Sequence, residues 1–235
     1  MKKFVPIFFL LLSVFFASCN MARIEGNGKF VTENRNTTKF SKINSSGAFI
    51  LKIKQGNTES IVVQADENLL PEINTAVNGN TLNIDFGKND VKPSKSIVIE
   101  LTVVELEGIE ISGSCDIIGV GDWHFQNFAL NCSGATESVF TLFAKKFSTD
   151  ASGSCKLVVK GRVDESEYEM SGAGELLASM LESKKVTMDI SGSGDAEVFS
   201  TEFLNVESSG ASEVRYKGSP KITQNVSGAS SIKPL

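Results

Sequence analysis

One element recurs through the second half of this chain. It is Ser-Gly followed by Ser or Ala, beginning at Ser112, Ser133, Ser152, Ser171, Ser191, Ser209 and Ser227, at spacings of 18 to 21 residues. A unit of that length cannot bury its apolar residues alone and has to stack on its neighbours. Aligned on the glycine, the position two before reads Ile111, Cys132, Ala151, Met170, Ile190, Ser208 and Val226, and the position four before reads Ile109, Leu130, Thr149, Tyr168, Met188, Val206 and Gln224. Odd offsets are polar: three before stand Glu110, Asn131, Asp150, Glu169, Asp189, Glu207 and Asn225, and three after stand Asp116, Glu137, Lys156, Glu175, Asp195, Glu213 and Ser231. This period of two marks strands with one face inward and one outward. Each glycine is then a corner, where backbone freedom permits a bend and the missing side chain lets successive units approach closely. The expected fold is all-β, a parallel, right-handed β-helix solenoid with coils of about 19 residues. A leucine-rich repeat would need a Leu-x-x-Leu-x-Leu signature, which is missing, and a β-sandwich would not space its glycines evenly.

The rest of the chain divides by composition. Residues 1–18, MKKFVPIFFLLLSVFFAS, place Lys2 and Lys3 before an apolar run too short to cross a membrane comfortably, the form of a secretory signal. The run ends in Phe-Ala-Ser-Cys, which resembles the bacterial lipobox; that resemblance implies cleavage before Cys19 and a lipid on its sulfur. Residues 19–39 are polar without a sustained period and read as a tether. Residues 40–108 carry short β-branched runs separated by turn signals such as Gly56-Asn57 and Asn78-Gly79, and read as an N-terminal β region of the same solenoid domain. A short helix is expected at DENLLPEI, with Asp66 as its N-cap and Pro71 limiting it. Residues 109–235 hold the seven repeats.

Charge and residue inventory narrow the function. The net charge of −5 becomes −7 once Lys2 and Lys3 leave with residues 1–18, which argues against nucleic acid as a partner. His124 is the only histidine, so a Ser-His-Asp set would have to draw on Asp122 and His124 in GVGDWHFQNF. That insertion reads instead as an extended loop decorated by Trp123, His124 and Phe125. The acidic columns run evenly over the repeats, which is a solvating pattern and not a gathered site. No cofactor and no metal ligand set is expected. Cys115, Cys132 and Cys155 read as small buried residues. Cys115 and Cys155, two coils apart, would be separated by roughly 9–10 Å, too far for a disulfide.

The order of these segments resembles the putative auto-transporter adhesin, head GIN domain family, common as lipoproteins in Bacteroidetes-type bacteria. The resemblance rests on FSKINSSGAFILKIKQGNTESIVVQADENLLPEINTAVNGNTLNIDF near the start and on IEISGSCDI, MDISGSGDAEVF and NVSGASSI later. The tripeptide Gly-Ile-Asn is itself absent; Lys42-Ile43-Asn44 and Gly108-Ile109-Glu110 come nearest. The resemblance implies a β-helix and an adhesive or binding role.

One column departs from the alternation. Five residues after the glycine the side chain should face out, yet the column begins Ile118, Val139, Val158 and Leu177 before turning to Glu197, Arg215 and Lys233. An apolar run on an outer face is a candidate docking strip; a local register change that turns it inward is the competing reading. The functional expectation is a lipid-anchored, non-catalytic protein of the cell envelope, at the outer membrane, its periplasmic or surface face left open. Its expected partners are the membrane through its lipid, a protein or glycan ligand, and a second copy of itself. A glycan-active enzyme and a structural spacer without ligand are the rival readings.

Overall fold

The computed structural model describes residues 23–87 and 89–235. Residues 1–18 and Cys19, read above as the signal and the lipid site, lie outside the described residues. Among the described residues everything regular is strand except one short 3-10 helix, Glu67–Glu72. A two-stranded sheet joins Ile24–Glu25 to Val91–Lys92, and all other strands belong to one 15-stranded sheet.

The repeats lie in parallel register within that sheet. Gly47 stands beside Gly113, Gly113 beside Gly134, Gly172 beside Gly192, Gly192 beside Gly210, and Gly210 beside Gly228. Asn127–Gly172 is unbroken strand for 46 residues. Straight, it would span about 150 Å. It turns at glycines with positive φ, and Gly153 shows why no other residue serves. Its φ is +96°, and a Cβ there would lie 2.6 Å from the Gly134 carbonyl oxygen. The corner glycine is thus required twice, for its backbone angle and for the neighbouring backbone.

Register fixes which residues are inside. Ile109, Leu130, Tyr168, Met188 and Val206 are buried, as are Ile117, Leu157, Leu176, Ala196 and Val214 on the far side of the glycine. They belong to a single core that also takes in the strands before the repeats.

The wholly parallel β-helix solenoid is not what forms. The main sheet is of mixed orientation: Phe30–Arg35 runs antiparallel to Ser60–Asp66, Ser60–Asp66 antiparallel to Ile97–Val103, and Ile73–Asn78 antiparallel to Thr81–Phe86. What holds of that expectation is the all-β class. The physical reason lies in the connections. Only Gly79 and Asn80 separate Asn78 from Thr81, and Gly79 has φ +64°. A two-residue connection can join only antiparallel strands. Residues 40–108 are therefore of mixed build: Lys42–Gly47 and Phe49–Gln55 lie parallel to the first repeat, while Ser60–Asp66 and Ile73–Asn78 enter antiparallel.

The tether also needs correcting from Ile24 onward. Phe30–Arg35 is a strand of the main sheet. Arg35 holds it there: the guanidinium donates to the Leu70 carbonyl at 2.7 Å, to the Ile73 carbonyl and to Thr75 Oγ1 at 3.2 Å. Asp66 flanks the short helix but makes no side-chain cap. Its buried carboxylate instead accepts from the Gly28 amide at 2.9 Å, the Ser94 amide at 2.8 Å and the Ser94 hydroxyl at 2.6 Å. Burial raises its pKa, but these donors outweigh burial and hold it below the usual carboxylate range.

The decorated loop is likewise not a loop. Asp116–His124 is a strand whose pairing with the next repeat is interrupted by a bulge between Ile118 and Asp122. The extra residues re-aim the chain, so that Trp123 and Phe125 enter the core while His124 stays outside. Trp123 stacks on Phe140 and meets Phe128 edge-on, and Phe128 continues to Phe147, which meets Tyr168.

On the flank opposite the glycines, successive repeats are joined by ion pairs. Arg162 meets Glu182 at 3.1 Å, Asp164 meets Lys184 at 2.7 Å and Glu165 meets Lys185 at 2.9 Å.

Candidate functional site

Ile118, Val139, Val158 and Leu177 fall on one outer face of the main sheet, each beside the next. Ile118 pairs with Lys52 on one side and Val139 on the other, and Val158 pairs with Leu177. Val139 and Val158 occupy equivalent places five residues after Gly134 and Gly153, whose backbones are in contact. Ile118 is 42% exposed and Val139 38%, while Val158 and Leu177 are half-buried. Leu157 and Val159, on either side of Val158, are buried, so the alternation is intact and these side chains point outward.

Charge brackets the strip at both ends. Beyond Leu177 comes Glu197, paired to Arg215 at 2.8 Å, and Lys233 follows on Glu213 at 2.9 Å. Before Ile118 comes Lys52, which meets Glu100 at 3.9 Å. Next to this end is a shallow groove of about 260 Å³ lined in part by Lys52, Lys54, Val62, Glu100, Thr102 and Val120. Val120 is 48% exposed, so the apolar surface runs from the strip into the groove. The groove was not legible beforehand, because it depends on the antiparallel strand Ser60–Asp66 lying beside Ile97–Val103.

The residues weighed for chemistry are placed differently. His124 is exposed, its ring stacked on Phe143 at 4.9 Å and 10°. Asp122 lies across from Thr141 in the sheet. Among the described residues no three His, Cys, Asp or Glu side chains gather where they could hold a metal ion. The acidic column three after the glycine is broken by local partners. Asp116 accepts from the Glu137 amide at 3.1 Å, and Glu175 pairs with Lys156 at 3.0 Å, which raises the lysine's pKa.

The cysteines line the inside of the corners. Cys115 Sγ is 3.6 Å from Ser45 Oγ, and burial pushes its thiol up to about 11. Cys155 Sγ lies 3.5 Å from the Cys132 carbonyl oxygen. The Cys155 sulfur beside it, together with burial, pushes the Cys132 thiol up; the Cys132 thiol, by donating to it, lowers Cys155. Sequence spacing compared Cys115 with Cys155 and missed this pair. The signal was available: one cysteine stands two before a glycine and the other two after the next, and both offsets face inward.

These features define an all-β protein of stacked repeats whose most distinctive outer surface is an apolar strip bounded by ion pairs. The chain belongs to the family described as putative auto-transporter adhesin, head GIN domain, whose pattern it matches over residues 39–220. A family of adhesin description is one of envelope or extracellular proteins. The chain is similar in structure to a putative adhesin from Bacteroides fragilis, with TM-score 0.85 and 23% identity over 90% of this chain and 100% of that one. It is similar also to a putative adhesin from Parabacteroides distasonis, with TM-score 0.72 and 21% identity over 91% and 100%. A putative lipid binding protein from Parabacteroides distasonis gives TM-score 0.71 and 24% identity over 91% and 99%. At such identities the likeness is one of fold. Among curated proteins there is no match.

Proposed function

We propose that this chain is a non-catalytic adhesin of the cell envelope, lipid-anchored through Cys19, that binds a protein surface through the strip Ile118, Val139, Val158 and Leu177. The observation that carries the reading is the strip itself. Four aliphatic side chains stand side by side on an outer sheet face that alternation would make polar, and ion pairs close the run at either end. Full burial of such a side chain is worth roughly 1.5–3 kcal/mol, and with Val158 and Leu177 already half-buried a partner that covers the strip recovers part of that from each. The family's adhesin description and the even spread of carboxylates over the repeats support binding over catalysis. The strip offers aliphatic groups and no exposed indole or phenol, which favours a protein partner over a glycan.

The test is a binding screen of the described part of the chain, residues 23–235, against protein and glycan arrays, with Val139→Lys/Val158→Lys as the comparison. A protein ligand held by wild type and lost by a folded double variant supports the reading. Glycan binding that survives the double substitution overturns it, and so does a double variant that keeps the protein ligand. Self-association of wild type that the double substitution abolishes makes the protein partner a second copy.

A further inference from the structure

We propose that Cys132 and Cys155 are a disulfide-forming pair that ties two successive repeats together inside the glycine corner. The argument is one of equivalent positions. Cys132 stands two before Gly134, and Cys155 stands two after Gly153, the corner glycine of the next repeat. Ser45 and Cys115 hold the same two places around Gly47 and Gly113, which are paired in register, and there the side-chain atoms are 3.6 Å apart. At Gly210 the corner packs its inner side chains differently: Ser208 and Ser212, on either side of the one glycine, have their hydroxyls 2.6 Å apart, and Ser212 lies 3.1 Å from Ser230 of the next repeat. Around Cys132 and Cys155 the geometry seen at Ser45 and Cys115 faces two thiols. Cys155 Sγ is 3.5 Å from the Cys132 carbonyl, and both residues are buried.

A disulfide between these offsets needs the two sulfurs brought by side-chain rotation to the bonding distance of about 2.05 Å. The Thr136 and Ser138 hydroxyls lie beside Cys132 in the same corner. Both cysteines are buried in the folded chain, so oxidation takes place during folding, before the corner closes to a small oxidant. Extracytoplasmic compartments supply such oxidants. The oxidant is a low-molecular-weight disulfide. One thiolate of the pair attacks it, forming a mixed disulfide and releasing one thiolate. The second cysteine, deprotonated, displaces the other. Two S–H bonds are lost and one S–S bond forms between Cys132 and Cys155. The two electrons and two protons leave with two molecules of reduced small thiol.

The experiment unfolds the full chain in denaturant, so that burial does not block reaction, and refolds it in a glutathione redox buffer at the extracytoplasmic poise. Free thiols are then alkylated and the protein is digested for mass spectrometry. The expected result is a peptide pair joining Cys132 to Cys155 with Cys115 alkylated, and a melting temperature about 5–10 °C above that of the same sample after reduction. Cys115→Ser should keep the link, while Cys132→Ser and Cys155→Ser should each lose it. Alkylation of both Cys132 and Cys155 in refolded wild type overturns the proposal, and so does a link that uses Cys115. If a single serine variant fails to refold, the wild-type and Cys115→Ser peptide maps decide the matter alone.

Discussion

The Trp123 indole lies flat on the Phe140 ring, with 5.0 Å between centroids and 9° between planes, and its N–H donates to the Ile53 carbonyl at 3.3 Å. This contact joins a bulged strand, the next repeat and a strand that precedes the repeats. It lies where the hairpin-built and repeat-built parts of the sheet share one core.

Removing that contact should be costly. Trp123→Ala leaves a void among Phe125, Phe128 and Phe140 and removes the indole donor from the Ile53 carbonyl. The expected loss is about 3–5 kcal/mol, measured by denaturant unfolding. A loss below about 1 kcal/mol would mean the aromatic cluster does not link the two parts.

The corner glycines make a second prediction. Gly153→Ala forces a left-handed φ on alanine and drives its methyl into the Gly134 carbonyl. The expected cost is about 2 kcal/mol or more. Gly28→Ala is the control, because φ there is +77° but nothing lies within 4 Å of the added carbon. If both cost the same in thermal melts, the stack's closeness contributes nothing.

Asp66 sets a pH dependence. Its folded pKa lies below that of the unfolded chain, so its contribution is present above the unfolded value of about 3.9 and is lost as pH falls through the folded one. Wild type should therefore melt above Asp66→Asn at neutral pH, and the gap should close as pH drops from about 5 towards 2. A gap that stays constant over that range would assign the effect to shape and not to charge.

Cys19→Ala should release the protein from membranes and leave the leader on a precursor of higher mass. Cell fractionation and blotting check this. A variant that sediments with membranes and migrates like wild type would remove the anchor from the proposed function.

Much of the core could be read from the glycine-aligned columns, because a period of two and a corner that only glycine tolerates are local properties. The outward strip was legible for the same reason: Ile118, Val139, Val158 and Leu177 hold one offset, and the alternation around them is regular. The mixed sheet was not legible, because strand direction depends on which distant strands meet. The Asn78-Gly79 turn fixes the direction of only the two strands it joins. Trp123 was misplaced for another reason. A bulge between Ile118 and Asp122 shifts the phase of the chain, and nothing in the spacing announces such a shift.

The ion pairs on the flank away from the glycines have a consequence for how the chain finds its frame. Repeats alike at their corners invite a strand to dock one repeat too far along, with every glycine still matched. Arg162 beside Glu182 and Glu165 beside Lys185 make that mistake visible. Skipping the intervening repeat would set Arg162 against Phe199 and Glu165 against Phe203, leaving the charges unmatched. Exposed pairs of this kind add little to stability. They act instead as an address, marking which repeat follows the one that carries Arg162 and Glu165.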